Sequence, residues 1–143
     1  SEAPARMEAL AAIGLDYVEQ PLAFDAWEET AALSAICPIP VMLDEALGSM
    51  AAIRRLAETR AAPLAHLKLA KLGGLDRMAA AAALLRPAGI GIMVGQMNEG
   101  RIATAAAAHP TAPGGDARAG ATGASPLLTH AQVRCRPGRF VDM

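Results

Sequence analysis

Three ionisable side chains lie at nearly constant spacing at the ends of short apolar runs. Glu19 closes the run Leu15-Asp16-Tyr17-Val18, Asp44 closes Ile39-Pro40-Val41-Met42-Leu43, and Lys68 lies within Leu67-Lys68-Leu69-Ala70. Glu19 to Asp44 is 25 residues and Asp44 to Lys68 is 24. A lysine inside an apolar strand is costly unless its ammonium is paired or used. Two carboxylates brought together repel unless a cation or a proton lies between them. An all-oxygen pair suits a hard divalent ion such as Mg²⁺, completed by waters and substrate oxygens. A nearby cation and partial desolvation both favour the neutral amine of a lysine. Together the three residues form a plan for removing a proton next to a carboxylate. The ion holds the carboxylate, Lys68 takes the α-proton, and the metal stabilises the enediolate. On this reading Asp44→Asn removes a charge that repels Glu19, so the expected effect on the metal-free fold is neutral or stabilising.

Any one of these residues alone is ordinarily half of an ion pair; their shared register is what points to chemistry. The neighbours have plainer readings. Glu45 is read as a partner of a lysine beside the site. Lys71 lies past the strand and reads as a loop or surface charge. His66 alternates onto the face of Lys68 and reads as a packed, hydrogen-bonded core histidine. His109 and His130 read as structural or exposed. Gly73-Gly74 fits a tight strand-to-helix turn as well as an anion site at a helix start.

The elements that must position these groups follow from periodicity. Residues 2–13 have helical spacing, stopped by Gly14. Strands are predicted over 15–20, 39–44, 65–69 and 90–94. Between them come helices from Asp25, with Glu28 completing a capping box, from Ser49, and over 75–86. A weaker, alanine-rich helix follows over 101–108. Lys68 to Met93 is again 25 residues, so the unit repeats. Strand and helix alternating at this period make an α/β fold with parallel strands and helical crossovers. A barrel is favoured over an open doubly wound sheet, because the first three strands each present an ionisable residue near the C-terminal end. No G-x-G-x-x-G follows any strand. From Pro110 onward the chain is loop-rich, with Ser125-Pro126-Leu127-Leu128 as a candidate last strand.

The net charge of −1 supplies no overall field for nucleic acid or anionic lipid. The arginines at 134, 136 and 139 read as a solvated surface. Cys37 and Cys135 have no metal-ligand spacing and make no disulfide framework. No apolar run approaches the roughly 20 residues of a membrane span. Residues 1–4 lack the basic-then-apolar pattern of a signal peptide, so a reduced, cytoplasmic protein is expected.

Four motifs carry a resemblance. Glu19-Gln20-Pro21, Leu43-Asp44-Glu45, Lys68-Leu69-x-Lys71-x-Gly73-Gly74 and Met93-Val94-Gly95-x-Met97-x-Glu99 are similar, in order and spacing, to the barrel of the enolase superfamily. Within it they resemble the muconate lactonizing enzyme subgroup, often named with mandelate racemase. The resemblance implies that Glu19 and Asp44 are Mg²⁺ ligands, that Lys68 is an acid/base, and that Glu99 stands at the active-site mouth. It implies the C-terminal part, about four to five βα units, of a (β/α)-barrel. Residues 1–109 would form the partial barrel and residues 110–143 the loop-rich end. The implied activity is Mg²⁺-dependent α-proton abstraction from a small carboxylate substrate, leading to racemisation or epimerisation, cycloisomerisation or dehydration.

The departures are specific. No K-x-K, the family's second lysine motif, occurs in the chain. The resemblance starts in the helix after the family's third strand, so neither that strand's aspartate nor the N-terminal capping domain is expected among these residues. His66 replaces a residue that is often asparagine. Thr122 and Ala124 stand where dipeptide epimerases of the subgroup have D-x-D. The alternative expectation is thus a catalytically incomplete fragment acting as a folded or associating module. In an unclosed sheet Tyr17, Met42 and His66 would be partly exposed, and self-association is expected.

Overall fold

The computed structural model describes residues 3–95, Met97 and residues 128–129. The alternation predicted from the repeat is present. Helix α1 (Ala3–Ala12) leads into strand β1 (Val18–Glu19), helix α2 (Trp27–Ile36) and strand β2 (Val41–Leu43). A 3₁₀ turn (Glu45–Leu47) precedes helix α3 (Met50–Thr59) and strand β3 (Leu64–Lys68). The one-turn helix α4 (Leu69–Leu72), helix α5 (Leu75–Leu85) and strand β4 (Gly91–Gly95) follow, and strand β5 (Leu128–Thr129) completes the sheet. The strands lie side by side in chain order, every pair parallel. That order, with a helix between successive strands β1 to β4, is the local topology of a barrel wall.

The pleat divides the side chains between two faces. Val41, Leu43, Ala65, Leu67, Ile92 and Val94 point to the helices. There they form one core with Ile53 and Leu56 of α3 and Met78, Ala82 and Leu85 of α5. The intervening residues Met42, His66 and Met93 lie on the opposite face. That face is closed as well: Met42 and Met93 are buried, and His66 is only 3% exposed. The expectation that Met42 and His66 would be partly exposed is therefore corrected.

Helix α3 starts as the sequence implies, with the Ser49 hydroxyl accepting from the Ala52 N–H at 3.2 Å. Helix α2 does not. It begins at Trp27 behind Ala26, without a side-chain cap, so Asp25 lies one residue too early to close a capping box with Glu28. Glu28 instead pairs with Arg55 of α3 at 2.7 Å, and the Arg55 guanidinium stands 4.6 Å from the Trp27 ring centroid. Ile36, the last residue of α2, is 67% exposed. The paired part of β1 is two residues long rather than six, because the ladder begins only where Val18 N–H reaches Pro40 O and Gln20 N–H reaches Met42 O.

Candidate active site

Parallel pairing puts the C-terminal ends of β1, β2 and β3 together. Glu19 is opposite Met42, Leu43 is opposite Ala65, and Lys68 is opposite Gly95. Glu19, Asp44, His66 and Lys68 therefore lie on one face at one end of the sheet. Asp44 is 2% exposed, and both of its oxygens are taken. The Lys68 ammonium donates to Oδ2, and the Lys71 ammonium donates to Oδ1 at 2.6 Å. Burial pushes the Asp44 carboxyl up, but hydrogen bonds from Lys68 and Lys71, with the charges of His66 and Lys68, outweigh it and leave Asp44 below the ordinary carboxylate range. His66 Nδ1 lies 2.8 Å from Glu19 Oε1 and 4.0 Å from Asp44 Oδ2. At the inner side, the Tyr17 hydroxyl donates to Met93 Sδ at 3.7 Å. Burial first, then the charges of Glu19 and Asp16, push that phenol above its usual value.

Lys71 is a correction to the sequence reading. It is 16% exposed and belongs to the site. The chain turns from strand to helix at Leu69, so Lys71 comes back over Lys68 one helical turn later. The three-residue spacing of the two lysines was the available signal, and a helix of four residues is too short for periodicity to reveal. Gln20, the middle residue of Glu19-Gln20-Pro21, has a role that its residue type and position do not display. Its Oε1 accepts the backbone N–H groups of Asp44 at 3.0 Å and Ala46 at 3.2 Å, while its Nε2 donates to Leu22 O at 3.0 Å. It thereby ties the end of β1 to the end of β2, from a backbone with φ of +40°. Glu45, read as a partner of a lysine beside the site, is exposed on the 3₁₀ turn, while Lys68 and Lys71 both donate to Asp44. Glu99, His109 and His130 lie outside the described residues.

The donor set suits a cation. Ligand atoms of Glu19, Asp44 and His66 all lie within 4.8 Å of one another. Glu19 and Asp44 would hold a divalent ion such as Mg²⁺, which would supply the positive charge that two neighbouring carboxylates require. Each carboxylate oxygen has two lone pairs, so Asp44 can accept from an ammonium and still face an ion. Two carboxylates suit a hard divalent ion, and the residues present fit one.

Residues 1–136 match the family model described as enolase C-terminal domain-like. The chain belongs to this family. It is 33% identical to muconate cycloisomerase 1-2 of Acinetobacter lwoffii over 86% of this chain and 32% of that protein. It is 35% identical to N-succinylamino acid racemase of Thermus thermophilus over 77% of this chain and 30% of that protein. Among solved structures, the muconate lactonizing enzyme from Pseudomonas putida superposes with a TM-score of 0.73 at 35% identity, covering 76% of this chain and 30% of that one. The chain thus spans about a third of the length of the curated relatives it matches. The fold is accordingly the α/β architecture of part of an enolase-superfamily barrel. Among the described residues, no helix is long and apolar enough to cross a membrane.

Proposed function

We propose that Glu19, Asp44 and Lys68 form part of a Mg²⁺-dependent site that removes an α-proton from a small carboxylate substrate through an enediolate. The observation that carries the reading is the convergence of two carboxylates and a lysine at the C-terminal end of three adjacent parallel strands, in a chain of this family. The relatives support the class: they include a cycloisomerase, a racemase and an epimerase, the last being the L-Ala-D/L-Glu epimerase of Bacillus subtilis. Mg²⁺, when bound, would add positive charge at the carboxylate oxygens where negative charge develops. Glu19 and Asp44 would hold it. Lys68 would receive the α-proton on one face of the substrate, and it must first release one ammonium proton to water while Asp44 stays ionised. Lys71 stays on the other oxygen of Asp44 and keeps the carboxylate ionised and fixed. Glu99 is proposed at the mouth of the site.

The test is proton–deuterium exchange into each enantiomer of an N-succinylamino acid, followed by NMR, with the 143-residue chain and Mg²⁺. Exchange into one enantiomer, dependent on Mg²⁺ and lost in Lys68→Ala, is expected. Exchange that survives Lys68→Ala would remove the assigned base.

A second reading is favoured by the ion pairs themselves. Lys68 and Lys71 already satisfy Asp44, and His66 already holds Glu19. Such a cluster can join three strand ends with no metal at all, as a folded or associating module would need. Absence of both cation binding and exchange would select it.

A further inference from the structure

Glu19 and Asp44 are held very differently. Asp44 is buried, clamped by two ammoniums, and its backbone is fixed by Gln20. The Glu19 side chain is 33% exposed, and among the described residues its hydrogen-bond partner is His66. A glutamate so exposed has rotamer freedom to lose on ordering, and the negative charge of Asp44 pushes it away. Something must hold it beside Asp44 if the two are to share an ion.

The His66 ring is built for that. It is 3% exposed, and Gly95 on the neighbouring strand leaves the space it fills. A Cβ added at Gly95 would stand 1.7 Å from His66 Nε2 and 2.6 Å from Cε1, so no other residue is compatible with the ring in this place. The ring is thereby pinned with Nδ1 towards both carboxylates, 2.8 Å from Glu19 and 4.0 Å from Asp44. An ionised carboxylate only accepts, so Nδ1 carries the proton and donates to Glu19 Oε1. That takes one oxygen of Glu19 and leaves the other for a ligand.

We propose that His66, seated against Gly95, is the positioning residue that holds Glu19 beside Asp44 for cation binding. The inference rests on reading Glu19 and Asp44 as a cation pair. It assigns the imidazole a role through Glu19, neither as base nor as ligand. Supporting partners of metal ligands are commonly worth 10- to 100-fold in metal affinity, and a loss of about that size is expected here.

The experiment measures Mn²⁺ binding to the 143-residue chain by water-proton relaxation at neutral pH. His66→Leu should weaken binding about 10- to 100-fold. His66→Asn, which keeps an N–H donor, should restore most of it, a rescue that a merely space-filling role would not give. Gly95→Ala should weaken binding as His66→Leu does, by displacing the ring. Asp44→Asn should abolish it. If Asp44→Asn abolishes binding while His66→Leu leaves it unchanged, the role of His66 is wrong and the carboxylate pair stands. If the unmodified chain binds no Mn²⁺, or Asp44→Asn binds it normally, both fail. A measurement on the unmodified chain covers the case of unfolded variants. The ¹⁵N imidazole spectrum should show Nδ1 of His66 protonated before and after Mg²⁺ is added. Loss of that proton on adding Mg²⁺ would make His66 a ligand and overturn the proposal.

Discussion

Asp44 takes one ammonium on each carboxylate oxygen, Lys68 on Oδ2 and Lys71 on Oδ1. Neither lysine has much water to fall back on, at 13% and 16% exposure. Asp44→Asn therefore leaves two largely buried cations facing a neutral amide. Breaking a buried pair from one side costs about 3–5 kcal/mol, and that outweighs the relief of repulsion with Glu19. Urea denaturation at neutral pH should show the variant less stable by that amount. This reverses the expectation from the carboxylates alone, which took no account of Lys71. The pH dependence follows from the same pairs. The folded state holds Asp44 below its ordinary value, so its contribution is full above the unfolded pKa of about 3.9. It is lost as pH falls from there through the lower folded value. Melting curves between neutral pH and pH 2 should show an acid-dependent loss that Asp44→Asn does not share; parallel curves would mean Asp44 is not the group titrating. At this scale the sequence made the acids and Lys68 legible, because the acids each end an apolar run and Lys68 is a lone charge within one. It hid Lys71, whose position depends on one turn of helix, and Gln20, whose work is done on backbone N–H groups that no pattern of side chains displays.

Gln20 links two elements rather than two side chains. Its Oε1 receives the N–H groups of Asp44 and Ala46 where β2 passes into the 3₁₀ turn. Gln20→Leu leaves both groups without this acceptor, at a cost of about 1–3 kcal/mol. It also frees the Asp44 backbone, so Mn²⁺ affinity should fall together with stability. Ser49→Ala is the contrasting case. It removes the cap of α3 and should cost about 1 kcal/mol, but Ser49 is exposed and acts on the helix alone. Cation affinity should be unchanged. Equal effects of the two variants on affinity would show that general loosening, not the strand-end tie, is being measured. The long helices were readable because their buried positions recur: Ile53 and Leu56 in α3, and Met78, Ala82 and Leu85 in α5, are all fully buried. Where the pattern is two or four residues long, as in β1 and α4, hydrogen bonding to neighbours sets the limits and sequence period does not.

Across the whole molecule, the five described strands form a sheet whose outer members, β1 and β5, each pair on one side. The inward face supplies little force for association, since Met42, His66 and Met93 are buried within the chain itself. The edges supply little more. Two residues of β1 and two of β5 offer a few backbone hydrogen bonds, each worth about 1 kcal/mol net. Bringing two molecules together costs at least about 4 kcal/mol and often much more. Exposed apolar residues must contribute the difference. Ile13 follows α1 and Ile36 ends α2, so both lie at the ends of helices that precede a strand, away from the candidate site, and both are 67% exposed. Fully burying one such side chain is worth about 1.5–3 kcal/mol. Among the described residues, edges and isoleucines together exceed that minimum cost by only about 4 kcal/mol, which corresponds to a dissociation constant near about 1 mM. Sedimentation of the 143-residue chain should therefore give a monomer mass at about 10 µM and a rising mass towards about 1 mM. Ile36→Lys should suppress that rise without altering Mn²⁺ affinity, because it lies at the other end of the sheet from Asp44. A stable dimer already present at the lower concentration would require an interface larger than these residues provide. A monomer at the higher one would mean that the two-residue edges are too short to pair, as short edge strands are in proteins that resist aggregation.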